Sequence, residues 1–111
     1  MTDYVQLLTT VDSAEDAERL GRSVVSARLA ACVQIVGPIR SLYWWEDKVD
    51  DAQEWQLLAK TTSECLPKLE RHIKANHSYD TPEIIATPIT WGSQEYLGWV
   101  SAETRQTGAS S

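Results

Sequence analysis

Cys32-Val33-Gln34-Ile35-Val36-Gly37-Pro38-Ile39-Arg40-Ser41-Leu42-Tyr43-Trp44-Trp45 reads as one long, interrupted β-strand. Its β-branched and aromatic residues suit a pleated surface. Gly37-Pro38 inside such a run marks a bulge or bend. Strand side chains alternate between faces, so Leu42 and Trp44 stand on one side and Tyr43 and Trp45 on the other. Both faces are therefore apolar. Residues 46–52 (EDKVDDA) read as a polar loop, and residues 54–61 (EWQLLAKT) as the returning strand of a long hairpin. There Trp55, Leu57 and Ala59 face away from Gln56, Leu58 and Lys60.

On the N-terminal side, residues 4–11 (YVQLLTTV) form a first strand, followed by the turn signal Asp12-Ser13. Ser13 with Asp16 resembles a capping box. Ala17, Leu20, Val24, Ala27 and Ala31 recur at helical spacing and predict an amphipathic helix over residues 14–30. On the C-terminal side, Ser63 is expected to cap a second helix that buries Leu66, Leu69 and Ile73, with Pro67 in its first turn. Residues 76–82 (NHSYDTP) form a loop and residues 83–89 a last strand, which Pro88 places at a sheet edge. A short helix follows over residues 93–105, with Tyr96, Val100 and Glu103 on one side.

The order βαββαβ plus a final helix predicts an α+β, ferredoxin-like sandwich. Both crossover helices lie on one face of an antiparallel sheet with spatial strand order four-one-three-two. A sheet apolar on both faces must be covered twice. The face without helices is expected to be covered by another copy of the chain.

The 111 residues are 42% apolar and 23% charged, enough for one domain over residues 1–105, with residues 106–111 expected to be a disordered tail. The net charge of −6 and a pI near 4.8 argue against a nucleic-acid-binding role, which needs a basic face. The longest uncharged apolar stretch, residues 29–39, is shorter than the roughly 20 residues of a membrane helix and is broken by Gly37-Pro38. The N-terminus shows no leader pattern, so the expected location is the cytoplasm. Five Trp and four Tyr stand against no Phe. Each pairs an apolar body with a polar handle, which favours interfaces and pocket walls.

Candidate chemistry is sparse. Two cysteines do not make a disulfide framework. Cys32, among Leu29, Ala30, Ala31 and Val33, reads as a buried small hydrophobe. Cys65, with only Lys68 as a basic neighbour, reads as an inert thiol. His72 and His77 are five apart, a spacing that does not share a helical face. There is no Gly-rich phosphate loop and no nucleophile–base constellation, so no enzyme is expected. The acidic run Glu46, Asp47, Asp50 and Asp51 around Lys48 reads as a solvated turn. The strongest cluster is Lys60 and Glu83 at strand ends, with Trp45, Tyr79, Tyr96 and Trp99 as aromatic neighbours, which reads as a walled polar pocket.

Five motifs then agree with one family. Leu29-Ala30-Ala31-Cys32-Val33, Ser41-Leu42-Tyr43-Trp44-Trp45, Lys60-Thr61-Thr62, His77-Ser78-Tyr79-Asp80-Thr81-Pro82-Glu83-Ile84 and Tyr96-Leu97-Gly98-Trp99 resemble the CutA divalent-cation-tolerance family across nearly the whole chain. The family's usual Pro in the fourth motif is Ser78 here. The resemblance implies a ferredoxin-like subunit in a tight homotrimer, similar to PII signalling proteins, with the sheets facing inward. It also implies tolerance of copper and other divalent cations with no assigned reaction. The family's proposed copper ligands, a Cys on strand one and a His pair, correspond to Leu8 and to Asn76-His77, so only His77 remains as a metal ligand.

Two functions stay open: a trimeric copper or divalent-cation response protein, and a PII-like sensor of a small anion or metabolite at subunit interfaces. Trp44 and Trp55 on the hairpin are expected at the trimer interface. The ligand pocket is expected to hold Trp45, Lys60, Tyr79, Glu83 and Trp99. Strand order separates Lys60 from Glu83 within one sheet, so they are expected to meet past the ends of strand one or across a subunit boundary. Such a site suits a small zwitterion or anion better than a soft metal ion. The alternative is a structural ion pair that locks the trimer.

Overall fold

The computed structural model describes residues 3–105, so the tail expected over residues 106–111 lies outside the described residues. The elements are β1 (Tyr4–Val11), α1 (Ala14–Ser26), β2 (Cys32–Trp45), β3 (Lys48–Thr62), α2 (Leu66–Asn76), β4 (Ile85–Pro88) and α3 (Gln94–Glu103). One four-stranded antiparallel sheet runs in the order β2-β3-β1-β4, the ferredoxin-like arrangement. β4 is an edge strand, as Pro88 requires.

The core lies between one sheet face and the helices α1 and α2. Leu7 and Val11 of β1 and Leu57 and Ala59 of β3 meet Leu20 and Val24 of α1 and Leu69 and Ile73 of α2. Strand alternation puts Gln6, Leu8, Gln56, Leu58 and Lys60 on the opposite face. That face is not bare along its whole length, which corrects the sequence expectation. α3 crosses one end of it, where the Tyr4 hydroxyl and Ser101 Oγ are 2.6 Å apart.

α1 ends at Ser26, not at residue 30. Arg28 turns left-handed at φ 59°. Its N–H bonds the carbonyl of Val25, and the N–H of Leu29 bonds that of Val24. This is a Schellman motif with Arg where Gly is usual, and Leu29 packs back into the core beside Val24. The N-terminus is as expected, with Ser13 Oγ accepting from the Asp16 N–H at 3.0 Å. Ser63 does not cap α2. It opens a 3₁₀ turn, Ser63–Cys65, that leads into the helix.

The hairpin is longer and tighter than the sequence pattern implied. The expected loop over residues 46–52 shrinks to Glu46-Asp47, both at positive φ (50° and 66°), with Trp45 directly opposite Lys48. These are the angles of a type I′ turn. The polar residues from Lys48 onward are strand because they pair with β2, not because of their own propensity. A register shift between Val36 and Ile39 is the expected bulge at Gly37-Pro38, whose peptide is cis. A Cβ on Gly37 would collide with the Trp55 ring, so the indole occupies the space any side chain there would need. β4 is also shorter than expected: it starts at Ile85, leaving Glu83 in the preceding loop.

Candidate functional site

Where the bulged β2 meets β3, Glu54 pairs with Ile39 and is only 8% exposed. Its partner comes from the loop between α2 and β4. The Tyr79 hydroxyl donates to Glu54 Oε2 at 2.7 Å. Burial, then that hydrogen bond, then the negative charges of Glu54 and Asp12 push the Tyr79 phenol well above its ordinary range. Tyr79 thus stays a neutral donor to Glu54.

His77 sets this geometry. Its Nδ1 accepts the backbone N–H of Tyr79 at 3.0 Å, and its Nε2 lies 2.8 Å from the carbonyl of Thr10. A carbonyl only accepts, so Nε2 carries the proton and Nδ1 does not. The ring therefore ties the loop to the end of β1 and delivers Tyr79 to Glu54. The His77 and Tyr79 rings are tilted, with centroids 4.8 Å apart. Tyr43, on the same side of the hairpin, has its phenol pushed up by burial and by the charges of Asp50 and Glu54. The result is an acidic cluster flanked by two phenols.

The five residues expected in one pocket do not converge within one subunit. Trp45 pairs with Lys48, twelve residues before Lys60 on β3, a separation of about 40 Å at strand rise. Lys60 Nζ donates to Gln34 Oε1 at 2.5 Å. Trp99 lies on α3, its ring 5.5 Å from that of Tyr96, whose phenol is pushed up by burial and by Cys32 beside it. Cys32 is in register with Lys60, so these residues share the α3 end of the sheet. Tyr79 sits at the hairpin root, and Glu83 is exposed in its loop.

Trp44 is 74% exposed, whereas Trp55 is half-buried against the core and over Gly37. Strand alternation and the bulge explain the difference: Trp55 follows the face of Leu57, inside the bulge, and Trp44 lies beyond it. Both ring nitrogens of His77 are engaged, so a metal ion there would have to displace the Thr10 carbonyl or the Tyr79 amide. Among the described residues, no three His, Cys, Asp or Glu side chains gather where one metal ion could be held. No helix among them is long and apolar enough to cross a membrane.

Glu54 is the residue sequence reasoning missed. Its only signal was position: an acid at the start of an apolar strand, on the same face as Gln56, Leu58 and Lys60.

The family model described as "CutA1 divalent ion tolerance protein" matches residues 5–103. The chain belongs to this family. The rice protein "Protein CutA 1, chloroplastic" is 46% identical over 102 residues, 92% of this chain and 58% of that relative, so the chain spans little more than half of its length. The "Divalent-cation tolerance protein CutA" of Thermus thermophilus is 46% identical over 98 residues, 88% of this chain and 95% of that one. The crystal structure of CutA1 from rice superposes with a TM-score of 0.92 at 44% identity, covering 96% of this chain and 97% of that one.

Proposed function

We propose that the chain works as a homotrimeric divalent-cation tolerance protein, with copper as the first ion to test and no catalytic reaction of its own. The observation that carries this reading is the hairpin. Leu42, Trp44, Trp45 and Val49 are each more than half exposed and lie on both faces of one ribbon. Apolar area in water is unfavourable by about 25 cal/mol per Å², and patches of this kind mark partner surfaces. The names of the relatives support the cation role.

The groups of the Glu54 cluster bond one another, which supports a role without chemistry of its own. In this reading a bound cation takes ligands from more than one copy. The pocket of Trp45, Lys60, Tyr79, Glu83 and Trp99 is likewise made between copies. In this reading the assembly works in the cytoplasm.

Light scattering and calorimetric titration test the reading together. The expected mass is three times 12.5 kDa, with copper(II) binding that is reduced by His77→Ala. A monomer at micromolar concentration overturns the assembly. A trimer that gives no heat with copper(II), zinc(II) or nickel(II) overturns direct cation binding.

A further inference from the structure

Glu54 leaves an electrostatic problem that one copy does not solve. A buried carboxylate is retained when it is both hydrogen-bonded and paired with a cation. Glu54 receives a bond from the neutral Tyr79 phenol. The ion pairs among the described residues, Arg19–Asp16, Arg22–Glu18, Arg28–Glu103, Arg40–Asp51 and Lys74–Glu70, do not include it. The other charges acting on its phenol neighbours, Asp12 and Asp50, are acidic too.

Lys60 is the complementary group on the same face. The residue is half-buried, but its ammonium lies in a solvent-exposed bond to the neutral Gln34 side chain and makes none of those ion pairs. Glu54 and Lys60 occupy the same face of β3, six residues apart, so about 20 Å of strand keeps them from meeting within one copy. That face is the one α1 and α2 leave uncovered. Lys68 and Arg71 belong to α2, in the helical layer on the other side of the sheet.

We propose that Lys60 of one copy reaches the Glu54–Tyr79 pair of the next, completing a site that neither copy forms alone. This rests on the trimeric reading above. The contact is head-to-tail, because each copy supplies Glu54 to one neighbour and Lys60 to the other, and contacts of that kind form a ring when the rotation between copies closes, as a trimer requires. The His77–Thr10 bond then gains a purpose: it holds Tyr79, and so Glu54, in place for the incoming ammonium.

A double-mutant cycle in the full chain tests the pairing. Trimer dissociation is followed by sedimentation in urea for wild type, E54Q, K60M and E54Q/K60M. Each single variant is expected to weaken association at least ten-fold. The double is expected to be no weaker than the worse single, since the first change already removes the contact. K60R should retain most of the association. Additive losses in a protein that is trimeric as wild type overturn the pairing and leave the trimer standing. A monomeric wild type overturns both. If E54Q fails to fold, K60M against K60R carries the test, and a K60M trimer as tight as wild type overturns the proposal.

Discussion

Thr9 buries a hydroxyl that finds no partner among the described residues. The residue is 1% exposed, and Oγ1 finds no hydrogen bond among the described residues. It borders a void of about 10 Å³ whose other walls, among them Leu7, Leu20, Val24 and Leu57, are apolar, so a water there would find too few partners to stay. An unsatisfied buried hydroxyl costs about 1–3 kcal/mol. Thr9→Val keeps the shape and removes that cost, so its urea midpoint should rise by the equivalent of about 1 kcal/mol; a lowered midpoint would show that the hydroxyl is bonded after all. Tyr79 is the opposite case, a half-buried hydroxyl that donates to a carboxylate. Tyr79→Phe should destabilise by about 2 kcal/mol, because Glu54 then loses its donor. The pH dependence has a definite sign. Folding raises the phenol pKa above its unfolded value of about 10, so the folded state holds that proton more tightly. The stabilisation is complete below pH 10 and is lost as pH climbs toward the raised value. Wild type should therefore lose stability above pH 10 more steeply than Tyr79→Phe. A 295 nm titration should show one late-ionising phenol missing from the variant, and superimposable alkaline curves would refute the assignment.

At the scale of elements, the hairpin turn carries backbone strain, because Glu46 and Asp47 both adopt positive φ. Asn-Gly is the pair best suited to this turn. The double substitution Glu46→Asn, Asp47→Gly should therefore raise the thermal midpoint, by roughly 1 kcal/mol at that temperature, without changing the assembled mass. A fall in the midpoint would mean that the acidic tip makes contacts in the assembly. The same turn shows why sequence patterning stopped short. Periodicity read the strands β1 and β2, the bulge and the edge placement of β4, because alternation, Gly-Pro and Pro88 act locally. It misread residues 48–52 as a loop because their polarity resembles one; their strand form comes from cross-strand pairing with Ser41–Trp45. It carried α1 too far because Arg28 occupies a left-handed position with no glycine to announce it. At the site, His77 and Tyr79 were legible as a polar loop motif. Glu54 was not, because its burial depends on the bulge and on a loop arriving from twenty-five residues away.

The whole molecule is drawn out by its hairpin. Its radius of gyration of 14.7 Å exceeds the roughly 13 Å expected of a compact chain of this length, and its longest axis is 46 Å against 30 and 23 Å for the others. A fold that held itself together alone would gain nothing from a projecting ribbon with tryptophans on both sides. The core lies elsewhere, below the bulge, where Trp55 and Gly37 close the sheet over α1. This division predicts that the arm and the body are separable. Deleting residues 44–49 and joining Tyr43 to Asp50 through Asn-Gly preserves the Tyr43–Asp50 register, a hydrogen-bonded pair like Trp45–Lys48, and a turn of the same type. It removes Trp44, Trp45 and Val49 and leaves the sheet below the bulge, both crossover helices and Glu54 in place. The shortened chain should keep the far-UV signature of its helices and should scatter light as a monomer at micromolar concentration, with a cooperative melt at lower temperature. If it remains trimeric with an unchanged melt, the exposed tryptophans are not what joins the copies. If it fails to fold at all, the body depends on the arm, and the division at the bulge is wrong.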